Sequence, residues 1–231
     1  RRADKSGASL RFLGIVQVAM GTLAIATLPV YLMTFDWMVS FMAAFAKTSQ
    51  GYAMFSVSRY VICLAVMLPA TFCAGMTLPL ITRVLVGASV GERAIGQVYG
   101  VNTLGSIVGA GVAGLVLMPL LGLKWLLVAG ASVDIALGVA LLAGDGRSAT
   151  DDRPSRWTPK LLLAGGLAAA VIIASLRAQL DHTVLTSGVF RYGTVQAPGS
   201  REVLFYKDGR TATVSVRRIP DTHGLTLATN G

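Results

Sequence analysis

Long apolar runs, separated by short charged loops, occupy residues 12–176, and the pattern changes to short alternating runs after Arg177. A membrane-spanning helix needs ~20 mostly apolar residues, because each residue rises only about 1.5 Å. Five stretches meet that requirement: residues 12–33, 61–82, 101–121, 125–143 and 160–176, the last being the shortest. The pattern therefore predicts a membrane all-α fold. Residues 1–176 form a polytopic helical bundle of about five transmembrane helices, and residues 177–231 form the start of a small β-domain.

Between the first two spans, Phe35, Trp37, Met38, Phe41, Met42 and Phe45 recur at near-helical spacing. They predict a helix over residues 35–46, which either lies in the membrane interface or packs on the other spans. Residues 144–159 are polar, with Asp-Gly, Asp-Asp and two prolines, and read as a linker. Lys and Arg set the orientation, because basic loops stay on the cytoplasmic side. Arg1, Arg2, Lys5 and Arg11, then Arg83 and Arg93, then Arg147, Arg153, Arg156 and Lys160 outnumber Lys47, Arg59 and Lys124 in the alternate loops. The N-terminal end is expected on the cytoplasmic side. The C-terminal segment emerges on the far side if residues 160–176 cross, and stays cytoplasmic if they only dip into the bilayer.

After Arg177 the periodicity is that of strands. Residues 203–216 hold two β-prone runs around Lys207-Asp208-Gly209-Arg210. Asp-Gly between such runs predicts a hairpin. The stretches from Thr211 to Val216 and from Leu225 to Thr229 alternate polar and apolar residues, as half-buried strands do. Strands this short need more of a domain around them. The β-domain is therefore expected to be truncated here, and residue 1 is not expected to be the biological start.

Composition agrees with the pattern. Hydrophobic residues make up 54% of the chain and charged residues 13%, against about 25% charged in soluble domains. Mean hydropathy is +0.66. The net charge of +9 sits beside apolar spans, so topology and lipid headgroups account for it. No basic helix or aromatic stacking platform speaks for nucleic acid, which is excluded as a partner. The lipid bilayer is the partner implied. Cys63 and Cys73 fall in one span and predict neither a disulfide nor a metal site.

Few motifs carry chemistry. Gly105, Gly109 and Gly114 place small residues along the third span, which favours close helix packing and allows a homo-oligomer through that span. Gly109-Ala-Gly111-Val-Ala-Gly114 also fits a dinucleotide-binding pattern, but it lies inside one apolar run instead of at a strand-to-helix turn, so the match is rejected. Asp134 is the main intramembrane polar candidate, with Asn102 beside it in that class. Gly130, Asp134 and Gly138 are four apart and share one helix face, which should pack against another helix. Asp134 is read either as a hydrogen-bonded anchor, with Asn102, Thr103 or Thr77 as partners, or as a proton or substrate relay. Pro69 and Pro79, with Gly75 between them, signal either plain kinks or a broken, site-lining helix. His182 and His223 lack metal-ligand spacing. No metal site and no catalytic residue is assigned.

Two segments nevertheless resemble a family. Leu68-Pro-Ala-Thr-Phe-Cys-Ala-Gly-Met-Thr-Leu-Pro-Leu80 and Gly96-Gln-Val-Tyr-Gly-Val-Asn-Thr-Leu-Gly-Ser-Ile-Val-Gly109 look like the membrane half of bacterial fused transporter-like/spermidine-synthase proteins. Ser187-Gly-Val-Phe-Arg-Tyr192, Leu204-Phe-Tyr-Lys-Asp-Gly-Arg-Thr-Ala-Thr-Val-Ser-Val216 and Thr229-Asn-Gly231 resemble the entry to the synthase-like half. The resemblance covers nearly the whole chain, in the family's order. It implies two earlier spans before residue 1 and a Rossmann-type methyltransferase-like domain after residue 231.

The activity so implied is transfer of an aminopropyl or related alkyl group from decarboxylated S-adenosylmethionine, as co-substrate, to an amine such as a polyamine precursor. That reaction needs acidic residues for a cationic diamine and a glycine-rich turn for the nucleoside, and neither lies within residues 1–231. The chain by itself is expected to hold no cofactor and to be inactive. Asn230 and Gly231 are the substrate-binding candidates, at the position where the family commonly has Leu-Asp-Gly. Asn for Asp there, and Ala212 where the family often has a substrate-facing Gln, point to an altered substrate or a lost activity. The alternative is a transporter-like or scaffold membrane protein whose soluble domain is non-catalytic.

Overall fold

The computed structural model describes residues 2–45, 48–87, 92–144, 165–166, 169, 172–173, 177, 181–189, 193–197, 202–218 and 224–229. Four long helices lead: α1 (Arg2–Ala44), α2 (Ser49–Gly87), α3 (Glu92–Val112) and α4 (Met118–Gly144). A π-helical turn, Ala113–Leu117, joins the last two. A one-turn helix, α5 (His182–Leu185), precedes three strands: β1 (Val203–Asp208), β2 (Thr213–Arg218) and β3 (Leu225–Thr229).

Three helical stretches are long and apolar enough to cross a membrane: Ala8–Ala44, Ser49–Val86 and Ile95–Ala143. The third runs through α3, the π turn and α4, and is interrupted at Gly122. The apolar side chains of α2 and α3 point outwards: Leu64 is 57% exposed, Phe72 65%, Val101 71% and Ile107 65%. Water would penalise that surface by about 25 cal/mol per Å², whereas hydrocarbon does not. The segment predicted as the fifth span lies largely outside the described residues.

Contacts divide the chain into two compact units, Arg1–Ala26 with Leu68–Ala110 and Leu127–Leu176, and Thr27–Met67 with Gly111–Leu126 and Arg177–Gly231. In the first unit α1 packs on α4 around buried Ile25, Ala131 and Ile135. Glycines set the separation. A Cβ on Gly21 would stand 2.6 Å from the Ala131 carbonyl oxygen, and one on Gly138 would stand 2.7 Å from that of Gly14. Backbones this close exclude any larger residue.

In the second unit the core is Phe35, Met38, Ile62 and Val189, with Tyr31 and Phe55 among the side chains around it. Tyr31 meets Phe35 edge-on at 5.3 Å. Of the two readings of residues 35–46, the packed one is found. Helix α1 continues without a break to Ala44, and Phe35 and Met38 are buried. Helix α2 starts where Thr48 caps it, its hydroxyl oxygen accepting from the Gly51 N–H at 3.1 Å. Helix α2 also runs on through Pro69 and Pro79.

The sheet is an antiparallel meander in the order β1-β2-β3. The predicted hairpin forms, with its tip at Arg210-Thr211, two residues later than Asp-Gly alone suggests. Asp208 pairs with Thr213 as the last rung, and the Gly209 N–H bonds the Ala212 carbonyl at 3.1 Å. Thr211 and Ala212 therefore belong to the turn, and β2 starts at Thr213. Leu225–Thr229 forms β3 as the alternation predicts, pairing along β2 from Arg218 to Val214.

Candidate functional site

The functional candidate is built where the hairpin meets the break in α4. Gly122 has φ 74° and ψ 171°, a region that residues with a Cβ do not adopt without strain. The break frees the Leu123 N–H from its place in the helix ladder. The Asp208 side chain supplies the missing acceptor, its Oδ2 taking that N–H at 3.3 Å. Its other oxygen, Oδ1, accepts from the Tyr206 hydroxyl at 2.9 Å and from the Thr213 hydroxyl at 2.9 Å. Strand geometry explains the cluster. Tyr206 and Asp208 are two residues apart and share a face of β1, and Thr213 stands opposite Asp208 in register.

The His182 ring stacks on Tyr206, centroid to centroid 4.1 Å and within 10° of parallel. Asp181 fixes α5 by accepting the Thr183 N–H at 2.7 Å. Arg217 of β2 donates to the Thr186 carbonyl, tying the segment after α5 to the sheet. Burial, then the hydrogen bond to Asp208 and its charge, push the Tyr206 phenol above its usual value of 10. Tyr206 therefore stays a neutral donor across the physiological range.

Beside this cluster opens a cleft of ≈ 490 Å³, within the usual size range of small-molecule sites. One wall is the apolar run from Met118 to Leu121 ahead of the break. The other carries Lys124, His182, Tyr206, Lys207 and Asp208. The Lys124 ammonium lies 5.8 Å from the centre of the Trp125 ring. With three donors on two oxygens, the Asp208 carboxylate serves as a latch. The cleft can bind and orient. Among the described residues no group of His, Cys, Asp and Glu could hold a metal.

The residues predicted from sequence are scattered. Asp134 is half-buried against α1, its Cβ 3.3 Å from where a Cβ on Gly21 would stand. Thr77, Thr103 and Ser106 bond carbonyls of their own helices, those of Ala74, Tyr99 and Asn102. Asn102 is exposed on α3. Gly138 makes the close approach already described. Gly105, Gly109 and Gly130 have nothing within 4 Å of a Cβ among the described residues, and Gly114 faces the Arg210 side chain at 3.3 Å. Asn230, Gly231 and His223 lie outside the described residues. Cys63 and Cys73 are free thiols.

Sequence reasoning missed two groups. One is Gly14 and Gly21, seven apart on α1; that spacing of small residues was a legible signal of a packing face. The other is the Tyr206, Asp208 and Thr213 cluster with Gly122, for which only the hairpin was readable. Comparison of the chain with protein-family models, curated proteins and solved structures finds no match.

Proposed function

We propose that the chain is the membrane domain and the opening β-meander of a spermidine-synthase-like membrane protein. The activity proposed is transfer of an aminopropyl or related alkyl group from a decarboxylated S-adenosylmethionine-type donor to an amine. The observation that carries this reading is the order of parts: long apolar helices, then an antiparallel meander over 203–229, in the sequence expected of such a fusion. The gene's whole product in nanodiscs should convert labelled donor and putrescine to the alkylated amine and the thioether nucleoside. Failure with a panel of diamines and folded protein would discard the reading.

About five crossings are proposed, with the N-terminal end cytoplasmic in a bacterial inner membrane. The run Ile95–Ala143 has 49 residues, and Gly122 divides it into pieces of about 40 Å and about 31 Å, each enough to cross ~30 Å of hydrocarbon. The bond from Leu123 to Asp208 supports a further crossing. Leu123 precedes the fourth proposed span and Asp208 follows the fifth. To share one membrane face, an even number of crossings must separate them, so residues 160–176 would cross.

The same parity favours a second reading. It puts the hairpin on the face opposite the basic loops of Arg83 and Arg93, away from the cytoplasm. A charged nucleoside donor does not pass a bilayer unaided. A domain on that face would serve binding or scaffolding, alongside a transporter-like helical domain. Labelling Thr211→Cys, in a background without Cys63 and Cys73, with an impermeant maleimide decides between them. Labelling in intact cells favours the second reading, and labelling only after lysis favours the enzyme.

A further inference from the structure

The meander is inside out for a sheet in water. An antiparallel sheet packed on one side normally covers its apolar face and wets its polar one. Here the polar face is covered. Tyr206, Ser215 and Ala228 form one row across the three strands. His182 lies on Tyr206, and Ser215 is 1% exposed. The opposite face carries Phe205, Val216 and Leu227 in one row, with Leu225 beside them. Phe205 is 48% exposed, Leu225 64% and Leu227 66%. Large apolar side chains gathered on one open face mark a surface that meets something other than water.

Two anchors and the charges of the rim select the occupant. Asp208 takes the N–H of Leu123, two residues ahead of the span proposed at 125–143. Val189 shares a core cluster with Ile62, the second residue of the span proposed at 61–82. Two proposed crossings separate Ile62 from Leu123, so both anchors hold the β-segment where spans enter the bilayer from one side. Trp125, close by, is a residue type of that boundary. The charged residues whose strand positions fall on the apolar face are both basic: Lys207, and Arg218, which holds Glu202 at 2.8 Å. Their long stems can lie along apolar surface while their heads reach anionic headgroups.

We propose that this sheet face lies in the headgroup–acyl boundary of the protein's own membrane, with Phe205, Leu225 and Leu227 among the upper acyl chains and Lys207 at the headgroups. The meander is then a membrane-seated plate beside the spans. The inference does not rest on the aminopropyl-transfer reading. Turnover of donor and amine can fail while the seating stands, and the reverse.

The test uses the gene's whole product, one copy per nanodisc, with the free thiols Cys63 and Cys73 replaced by alanine. A nitroxide is placed in turn at Phe205→Cys, Leu225→Cys, Thr226→Cys and Leu227→Cys. All four positions are exposed, so the labels leave the packing intact, and Thr226 stands on the other face. Oxygen concentrates among acyl chains, and a nickel chelate stays in water. The ratio of oxygen to nickel collision rates at 205, 225 and 227 should exceed that at 226 severalfold, giving an alternation along β3. Nickel access at 225 and 227 equal to that at 226 means a face bathed in water and overturns the proposal. Low collision rates with both reagents at 225 and 227 mean a face covered by protein and overturn it too.

Discussion

Asp208, the last residue of β1, takes the backbone N–H of Leu123 across 85 residues of sequence. The strand hairpin thereby closes a gap that a break in a membrane helix leaves open. Asp208→Ala removes the acceptor for Leu123, Tyr206 and Thr213 at once. The three bonds are partly solvated, so the expected loss is about 1–2 kcal/mol. Asp208→Asn keeps one acceptor oxygen and should lose less. Thermal unfolding of the detergent-solubilised protein measures both, and protease cleavage in the turn near Gly209 should speed up in the order wild type, Asn, Ala.

Helix α1 meets α4 through glycine, and the glycines are not equivalent. Gly138→Val and Gly21→Val put atoms where the carbonyls of Gly14 and Ala131 stand. Each should destabilise by about 1–3 kcal/mol or more, as overpacked sites do. Gly105→Ala and Gly109→Ala meet no described neighbour within 4 Å. In a monomer they should be neutral or gain up to ~1 kcal/mol from helix propensity. If instead they lower the crosslinked dimer fraction, the third span is an oligomer contact.

Asp134 stands beside Gly21 at the same helix pair. As an anchor it needs only a polar group of its size, so Asp134→Asn should leave insertion, unfolding temperature and function within error of wild type. Asp134→Leu should insert well and pack worse. Lost function in the Asn variant, with insertion and stability intact, would turn the anchor into a relay.

Alkaline titration should single out Tyr206. Its phenol is raised in the folded protein, mainly by burial and then by Asp208. The folded state thus holds this proton more tightly than the unfolded chain. The associated stability is complete below about pH 10 and drains away as pH rises from there towards the folded-state value. The phenolate absorbance of wild type minus Tyr206→Phe should show one step displaced above that of free tyrosine. In Asp208→Asn the step should move down.

How much of this the sequence disclosed depends on the physics of each part. The apolar runs and the strand alternation are local signals, and the helices and β1 to β3 follow them. Residues 35–46 were ambiguous because exposed and packed amphipathic helices share one spacing; the cover over Phe35 and Met38 comes from Ile62 and from Val189, far along the chain. The turn moved because the Tyr206, Asp208 and Thr213 bonds fix Asp208 as the closing rung, overriding the Asp-Gly preference. The cleft was hidden, since its walls come from segments about 60 to 90 residues apart.

The π turn at Ala113–Leu117 alters the screw of the helix between α3 and α4. Its wider ring, closed by Met118 N–H onto the Ala113 carbonyl, fits an extra residue into one turn and swings everything downstream by about 100°. Gly114, within the turn, faces Arg210, and Leu123, beyond it, meets Asp208. Deleting any single residue from that turn would restore an ordinary screw, rotate the docking point away from the sheet, and uncouple the latch without touching either of its ends.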